Sequence, residues 1–454
     1  MLYNDFTITI TGRQKSGYSV SATADGVGRV AHGLPLPGAG LLESLAGAAQ
    51  PSSTVDAETF LRSTGESLFR WATPGSVESH LRIAWDRADR QSRGLRIRLS
   101  IDAPEVNVWP WELLHDPVRD HPFATSISTP LVRFLDQADE FGGLANQLSE
   151  LPLDLLLIIP HTPDLDLARE QALIEEAIAP LGGAVKLHAL EGIVTRGALA
   201  DALMGGRFDI VHFSGHGGFT AGRGYIALNR ANGMPDWVEG ATLGRLLANH
   251  PSLKLAILNA CATGQVDEGR AFQGLAPQLV RRGIPAVVAM QYNLTDQAAL
   301  TFAREFYRQL SLGENAGQVD LAVTHARNML AVRSAADVSF AAPVIYTHAP
   351  DGVIFRLPRN AEAGSSVDPS SQRARLAGLR GSLRAGDELE DDWALAGRQK
   401  LEVWRQILRR TEQTYRLHLS DHDPDVQRAA REGLALTQRR LTALESALAA
   451  EQTG

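Results

Sequence analysis

The sequence predicts an α/β protein. A parallel-dominated sheet is flanked by helices, an α+β region precedes it and a helical hairpin follows it. Three observations predict this. Between about 150 and 357, short continuous apolar runs alternate with amphipathic segments, the pattern of strands buried on both faces and separated by covering helices. Earlier, DFTITITG and GLRIRLSID alternate polar and apolar residues with a period of two. Near the C-terminus, apolar residues recur at helical spacing in two blocks.

The first part spans about 1–145. DFTITITG is a strand. Residues 55–70 and 75–88 are helices, the first entered through Ser52, Ser53 and Thr54. GLRIRLSID is a second strand, VNVWPWELLHDP a short aromatic helix, and TPLVRFLD a third strand. Trp109 and Trp111 straddle Pro110 and are read as packing anchors, not as a ligand cage.

The second part spans 150–357. LDLLLIIP, AVKLHALEG, FDIVHFSGHG, LKLAILNACATG, IPAVVAMQ and PVIYTHAP are strands. Helices lie between them, including 242–249, 271–282, 295–310 and 315–332. The insert at 217–240 is read as a small hairpin. Working residues in such a sheet sit beyond the carboxyl ends of the strands. Four of those ends are polar or reactive here: His161, Ser214 to His216, Asn259 to Cys261, and Gln291.

A polar linker, about 358–388, follows. Two helices at 389–419 and 424–450 then form the hairpin, read as an interaction module. Asp423 is the expected N-cap of the second helix, with Pro424 at its first position.

Composition narrows the function. The chain has 454 residues and a net charge of −8, against the basic excess of a general nucleic-acid binder. Its positive charge is almost all arginine; the lysines are Lys15, Lys186, Lys254 and Lys400. Cys261 is the only cysteine, so neither an internal disulfide nor a cysteine-based zinc site is expected. MLYNDFTITITGRQK lacks the apolar core of a signal peptide, and LPLDLLLIIP is far short of a membrane span. A cytoplasmic protein with no direct nucleic-acid or membrane partner is expected.

The two reactive strand ends carry the chemistry. IVHFSGHG stops at His216, and LAILNACA stops at Cys261. Two loops leaving neighbouring strands at one edge can bring a thiol and an imidazole to one substrate. A cysteine nucleophile acts as the thiolate and needs a base beside it, and histidine suits that task near neutral pH. The backbone N–H groups of Gly217 and Cys261 are candidates for an oxyanion hole. Taken singly, a buried cysteine or a histidine among glycines is a packing or turn residue; the pair at matching strand ends is not. His212, four residues before His216, is read as a packed core residue. GHGG is not a phosphate cradle, since no helix opens after it and no GxxxxGK[ST] is present.

VHFSGHG followed by LNACATG resembles the paired signatures of the CHAT family, caspase-like cysteine peptidases of clan CD type. WPWELLHDP with TPLVRFL resembles the region before the CHAT core. GIPAVVAMQYNLTDQAALTFAREFYRQL resembles the stretch after its catalytic cysteine. The likeness covers roughly residues 90–350. It implies a caspase-like fold, a His216–Cys261 dyad and a protein substrate; no cofactor or metal ligand is read from the residues, while some caspase-like relatives need Ca²⁺. The likeness also suggests a bacterial defence or stress setting. Uncontrolled proteolysis would be harmful, so the added N-terminal and C-terminal parts suggest gating by a partner or signal, with the C-terminal helices as the docking place for a regulatory partner. The competing reading is a catalytically silent caspase-like scaffold. Retention of both His216 and Cys261 in their motifs separates the two.

Substrate-binding candidates are Asn259, Gln291, His161 and Asp164. Relatives that cut after Lys or Arg often carry an acid two positions before the cysteine. Asn259 stands there, so a neutral or apolar residue before the cut is expected. Asp164 either faces the pocket or caps the next helix in solvent. Asp296 either lines the pocket wall or complements a helix N-terminus.

Overall fold

The computed structural model describes residues 2–14, 17–48, 57–136, 151–162, 167–220, 223–260, 267–313, 315–333 and 337–357. It also describes 405, 408, 409, 412, 415, 416, 419 and 424–450. The predicted linker at 358–388 lies outside the described residues.

The N-terminal part opens as a meander of β1 (Tyr3–Gln14), β2 (Gly17–Ala24) and β3 (Gly28–Leu34). Sequence reading found only the first. β2 alternates Tyr18, Val20, Ala22 and Ala24 with Ser19, Ser21 and Thr23, but half of its apolar set is alanine and the signal is weak; β3 is an edge strand exposed along most of its length and lacks a clean alternation. Three helices follow: α1 (Ala39–Gly47), α2 (Ala57–Ala72) and α3 (Ser76–Arg90). Next come β4 (Gly94–Ile101), the single turn α4 (Pro104–Asn107) and a 3₁₀ turn at Trp111–Leu113. A two-residue pairing of β5 (His115–Asp116) with β6 (His121–Pro122) leads to β7 (Leu131–Phe134). Trp111 is fully buried and donates to the Val106 carbonyl at 2.9 Å, with Trp109 and Trp71 against it. The tryptophans are packing anchors, as expected.

The second part runs β8 (Leu153–Pro160), α5 (Leu167–Ile178), β9 (Val185–Gly192), α6 (Arg196–Gly205) and β10 (Ile210–Gly215). The insert is a three-stranded ribbon of β11 (Gly217–Thr220), β12 (Arg223–Asn229) and β13 (Pro235–Glu239). Then come α7 (Gly240–Ala248), β14 (Leu255–Ala260), α8 (Asp267–Val280) and β15 (Ala286–Met290). The part closes with α9 (Asp296–Leu312), α10 (Val319–Arg333) and β16 (Pro343–Thr347). Thr195 and Thr295 cap α6 and α9, accepting from the Ala198 and Ala298 N–H groups at 3.0 and 3.3 Å.

Eleven of the sixteen described strands build one sheet, ordered β3-β2-β1-β4-β7-β16-β15-β14-β10-β8-β9. It contains two parallel blocks. β1, β4, β7 and β16 run one way, and β15, β14, β10, β8 and β9 run the other. They meet at the antiparallel pair β15–β16. PVIYTHAP therefore does not extend the parallel series of the second part. It crosses over and pairs with β7 of the first. An apolar run carries no sign of its direction, which is why the sequence did not show this. Residues 1–177 and 185–357 form one compact unit, so the boundary read near 145–150 falls inside a shared sheet.

Residues 178–184 and 358–454 form a second unit. Within it, 405, 408, 409, 412, 415 and 416 are helical and run antiparallel to α11 (Pro424–Ala450). Arg409 pairs with Glu445 at 3.3 Å, and Gln438 donates to Glu412 at 3.2 Å. Tyr415 is fully buried against Gly433, where any side chain would collide with its ring.

The seam between the two blocks holds a buried carboxylate. Glu112 accepts from Arg133 at 3.2 and 2.8 Å and from Gln291 Nε2 at 2.8 Å. Arg327 lies 3.7 Å away and donates to the Pro343 and Leu131 carbonyls. Burial lowers Arg327 to about 10, opposed by Glu112. Burial would lower Arg133 too, but the facing Glu112 outweighs it and the net shift is upward. These residues come from the 3₁₀ turn, β7, the end of β15 and α10, so one carboxylate ties both blocks. Glu112→Ala strands two buried guanidinium groups. It is expected to cost about 3–5 kcal/mol in urea unfolding, with Glu112→Gln costing less.

Candidate active site

β8, β10 and β14 are parallel neighbours, so their carboxyl ends share one edge. Phe213 pairs with Ile158 and Leu258, and Gly215 pairs with Ala260. His216 leaves β10 at this edge, half-buried. One residue past β8, the side chain of His161 is exposed at the same level. Its N–H donates to the Gly192 carbonyl at 2.7 Å, and its carbonyl accepts from Asn229 at 2.8 Å. Asn259 pairs with Ser214 in the register, and among the described residues its buried Oδ1 has no hydrogen-bond partner.

The ribbon fixes the histidine from the other side. The Ala227 N–H donates to the His216 carbonyl at 3.0 Å, and Gly217 pairs with Ile226. Gly217 is buried; Ile226 and Val238 belong to the core beneath. In antiparallel pairs, hydrogen-bonded and non-bonded positions alternate. If 216/227 is the bonded pair, the Gly217 N–H points away from β12.

Below the edge, alternate residues of β10 face opposite sides. Val211 and Phe213 join the core under α7 and α8. His212 faces α9, where its Nδ1 and Tyr307 Oη are 2.8 Å apart. Its Nε2 is buried without a partner among the described residues. Burial lowers His212 to about 4, so it is neutral and is the packed core residue expected. Ser214, also buried, donates to Glu170 of α5 at 2.7 Å, a contact the sequence did not reveal because the partners are far apart in the chain.

The structure thus brings His161, His216, Gly217 and Asn259 to one edge. Gln291 goes elsewhere. Its side chain is buried, donating to Glu112 and to the Ala341 carbonyl at 2.6 Å, so its amide serves the seam. Asp296 is at the first position of α9 and pairs with Arg169, consistent with the helix-terminus reading. Cys261 and Asp164 lie outside the described residues, as do 264–266 of the loop after Cys261. Among the described residues, no cluster of His, Cys, Asp and Glu could hold a metal ion, and no helix is long and apolar enough to cross a membrane.

β10 and β14 are thus adjacent parallel strands of a large α/β sheet, with His216 leaving the first at the shared edge. The chain belongs to the CHAT domain family, whose model matches residues 62–374. No curated protein matches it. Among solved structures it is similar to the Saccharomyces cerevisiae separase–securin complex, with a TM-score of 0.46, 13% identity, and coverage of 76% of this chain and 30% of that one. It is also similar to the complex of Porphyromonas gingivalis RgpB pro- and mature domains, with a TM-score of 0.40, 12% identity, and coverage of 66% and 77%. The chain therefore spans less than a third of the separase chain it matches.

His212 gives a pH prediction. Its folded value of about 4 lies below an unfolded value of about 6.5, so the unfolded chain takes the proton first. Its contribution to stability is full above about pH 6.5 and is lost as pH falls towards 4. Burial lowers His121 to about 4 as well, and it adds to the same slope. Urea midpoints should fall between pH 7 and pH 4.5, and His212→Gln should flatten that fall without removing it.

Proposed function

We propose that this protein is a cysteine endopeptidase working through His216 and Cys261. One observation supports the pairing above others: Gly215 and Ala260 are register partners on parallel strands, and His216 and Cys261 are the next residues in the chain. Residues at one level on adjacent strands are about 4.8 Å apart.

In the proposed reaction, His216 takes the Cys261 thiol proton. The thiolate attacks the scissile carbonyl carbon and forms a C–S bond. The negative charge that develops on the carbonyl oxygen faces the N–H groups of Gly217 and Cys261. Collapse breaks the C–N bond, and His216 gives its proton to the leaving amine. Water then attacks the thioester, His216 accepts a water proton, and the acid leaves as the thiol is restored. Asn259, His161 and Asp164 are proposed to face the substrate. Gating by a protein partner at the C-terminal helices and a bacterial defence or stress setting complete the reading.

The test is cleavage of a diverse peptide library by the wild type, Cys261→Ala and His216→Ala, with and without cell lysate. The wild type should cut and Cys261→Ala should not. His216→Ala should lose about 10²–10⁴-fold. Cutting only with lysate places the gating partner there. Equal cutting by Cys261→Ala overturns the assignment, and silence under all conditions favours the scaffold.

A further inference from the structure

The ribbon carries an exposed tryptophan that packing does not use up. Trp237, at the centre of β13, is 50% exposed while its neighbour Val238 is fully buried. Strand register places it with care. Ala227 pairs with Trp237 on one side, and its N–H binds the His216 carbonyl on the other. Directly opposed residues project to the same face of a sheet, so His216, Ala227 and Trp237 form one row on the outer face of the ribbon. Two strand spacings separate the ends of that row, about 10 Å between backbones.

The Trp237 side chain reaches across β12 to β11. Ala227, between them, is too small to stand in the way. Gly218 is two residues past His216 and on the same face. An ideal Cβ built on it would lie 3.0 Å from the Trp237 ring. The indole therefore leans across β12 and lies over Gly218, two residues past His216 on β11, and a side chain at 218 would displace it. Tyr225, half-buried and paired with Gly218, extends this apolar strip. Its far border is charged, where Arg223 pairs with Glu239 at 3.3 Å. The core face of the ribbon is filled separately by Ile226, Leu228 and Val238.

We infer that Trp237 forms the wall of a substrate subsite that takes an apolar side chain of the peptide next to the scissile bond. The inference rests on the peptidase reading, because that reading supplies the peptide beside His216. The chemistry favours an apolar occupant. The strip of Trp237, Tyr225 and Gly218 presents no charge, and the neighbouring Arg223–Glu239 pair is satisfied internally. An indole held at its inner edge by a glycine keeps one face open at little entropic cost.

The test separates binding from cutting. Fluorescein-labelled peptides carrying Leu or Phe at one position, or Asp or Lys there, are titrated into full-length Cys261→Ala. The same titration uses Cys261→Ala with Trp237→Ala or Trp237→Phe. The Leu and Phe peptides should bind about tenfold or more weakly to the Ala variant, with most affinity kept by the Phe variant. The Asp and Lys peptides should bind weakly to all three. Equal binding of the apolar peptides with and without the indole, or no binding to Cys261→Ala at all, overturns the subsite. Apolar binding that needs Trp237, joined to a wild type that cuts none of these peptides with or without lysate, overturns the peptidase reading and leaves the subsite standing.

Discussion

Parallel pairing of β10 with β14 sets the level at which both strands end, and the candidate site depends on that level. A parallel ladder has evenly spaced bonds and a fixed side-chain alternation, so a slip of one residue would turn every core side chain of β10 to the other face. His212 would then leave Tyr307, and Phe213 would leave the core beneath α7 and α8. The buried residues of β10 thus hold His216 in place from below. The ribbon holds it from above, through the hydrogen bond of Ala227 to its carbonyl.

The second constraint lies at the seam. Two parallel blocks running in opposite directions can share a sheet only through an antiparallel pair, here β15–β16. The crossing brings β16 beside β7, and Glu112 with Arg133, Arg327 and Gln291 fills the space below. A charge cluster there is expensive to bury and costly to break. It makes the register of one block felt by the other, so the N-terminal strands are part of the framework of the site and not an appendage to it.

The sequence made the central strands and their reactive ends legible because β8, β10 and β14 are continuous apolar runs with abrupt polar stops. Helices α2, α3, α9 and α10 were legible from their period and entry residues. β2 and β3 were not: the alternating set of β2 is half alanine and so only weakly apolar, and β3, an exposed edge strand, lacks a clean alternation. The direction of β16 was not, because direction is a property of pairing. Gln291 looked like a site residue for the same reason His216 did, as the first polar residue after an apolar strand. Its true neighbour, Glu112, is remote in sequence, and nothing local announces a contact of that range. Trp237 lies in an insert rich in glycine and polar residues. Its place beside His216 follows only from the register of three strands.

The most direct test of the dyad uses the fact that Cys261 is the only cysteine. The rate of its alkylation by iodoacetamide can be followed by mass spectrometry from pH 5 to pH 10, in the wild type and in His216→Ala, with no substrate or activator needed. An isolated thiol titrates near about 8.5, and an imidazolium partner lowers that value. The account predicts wild-type labelling that persists well below pH 7, and labelling of His216→Ala that rises only towards the ordinary thiol range. Identical profiles for the two proteins would contradict it.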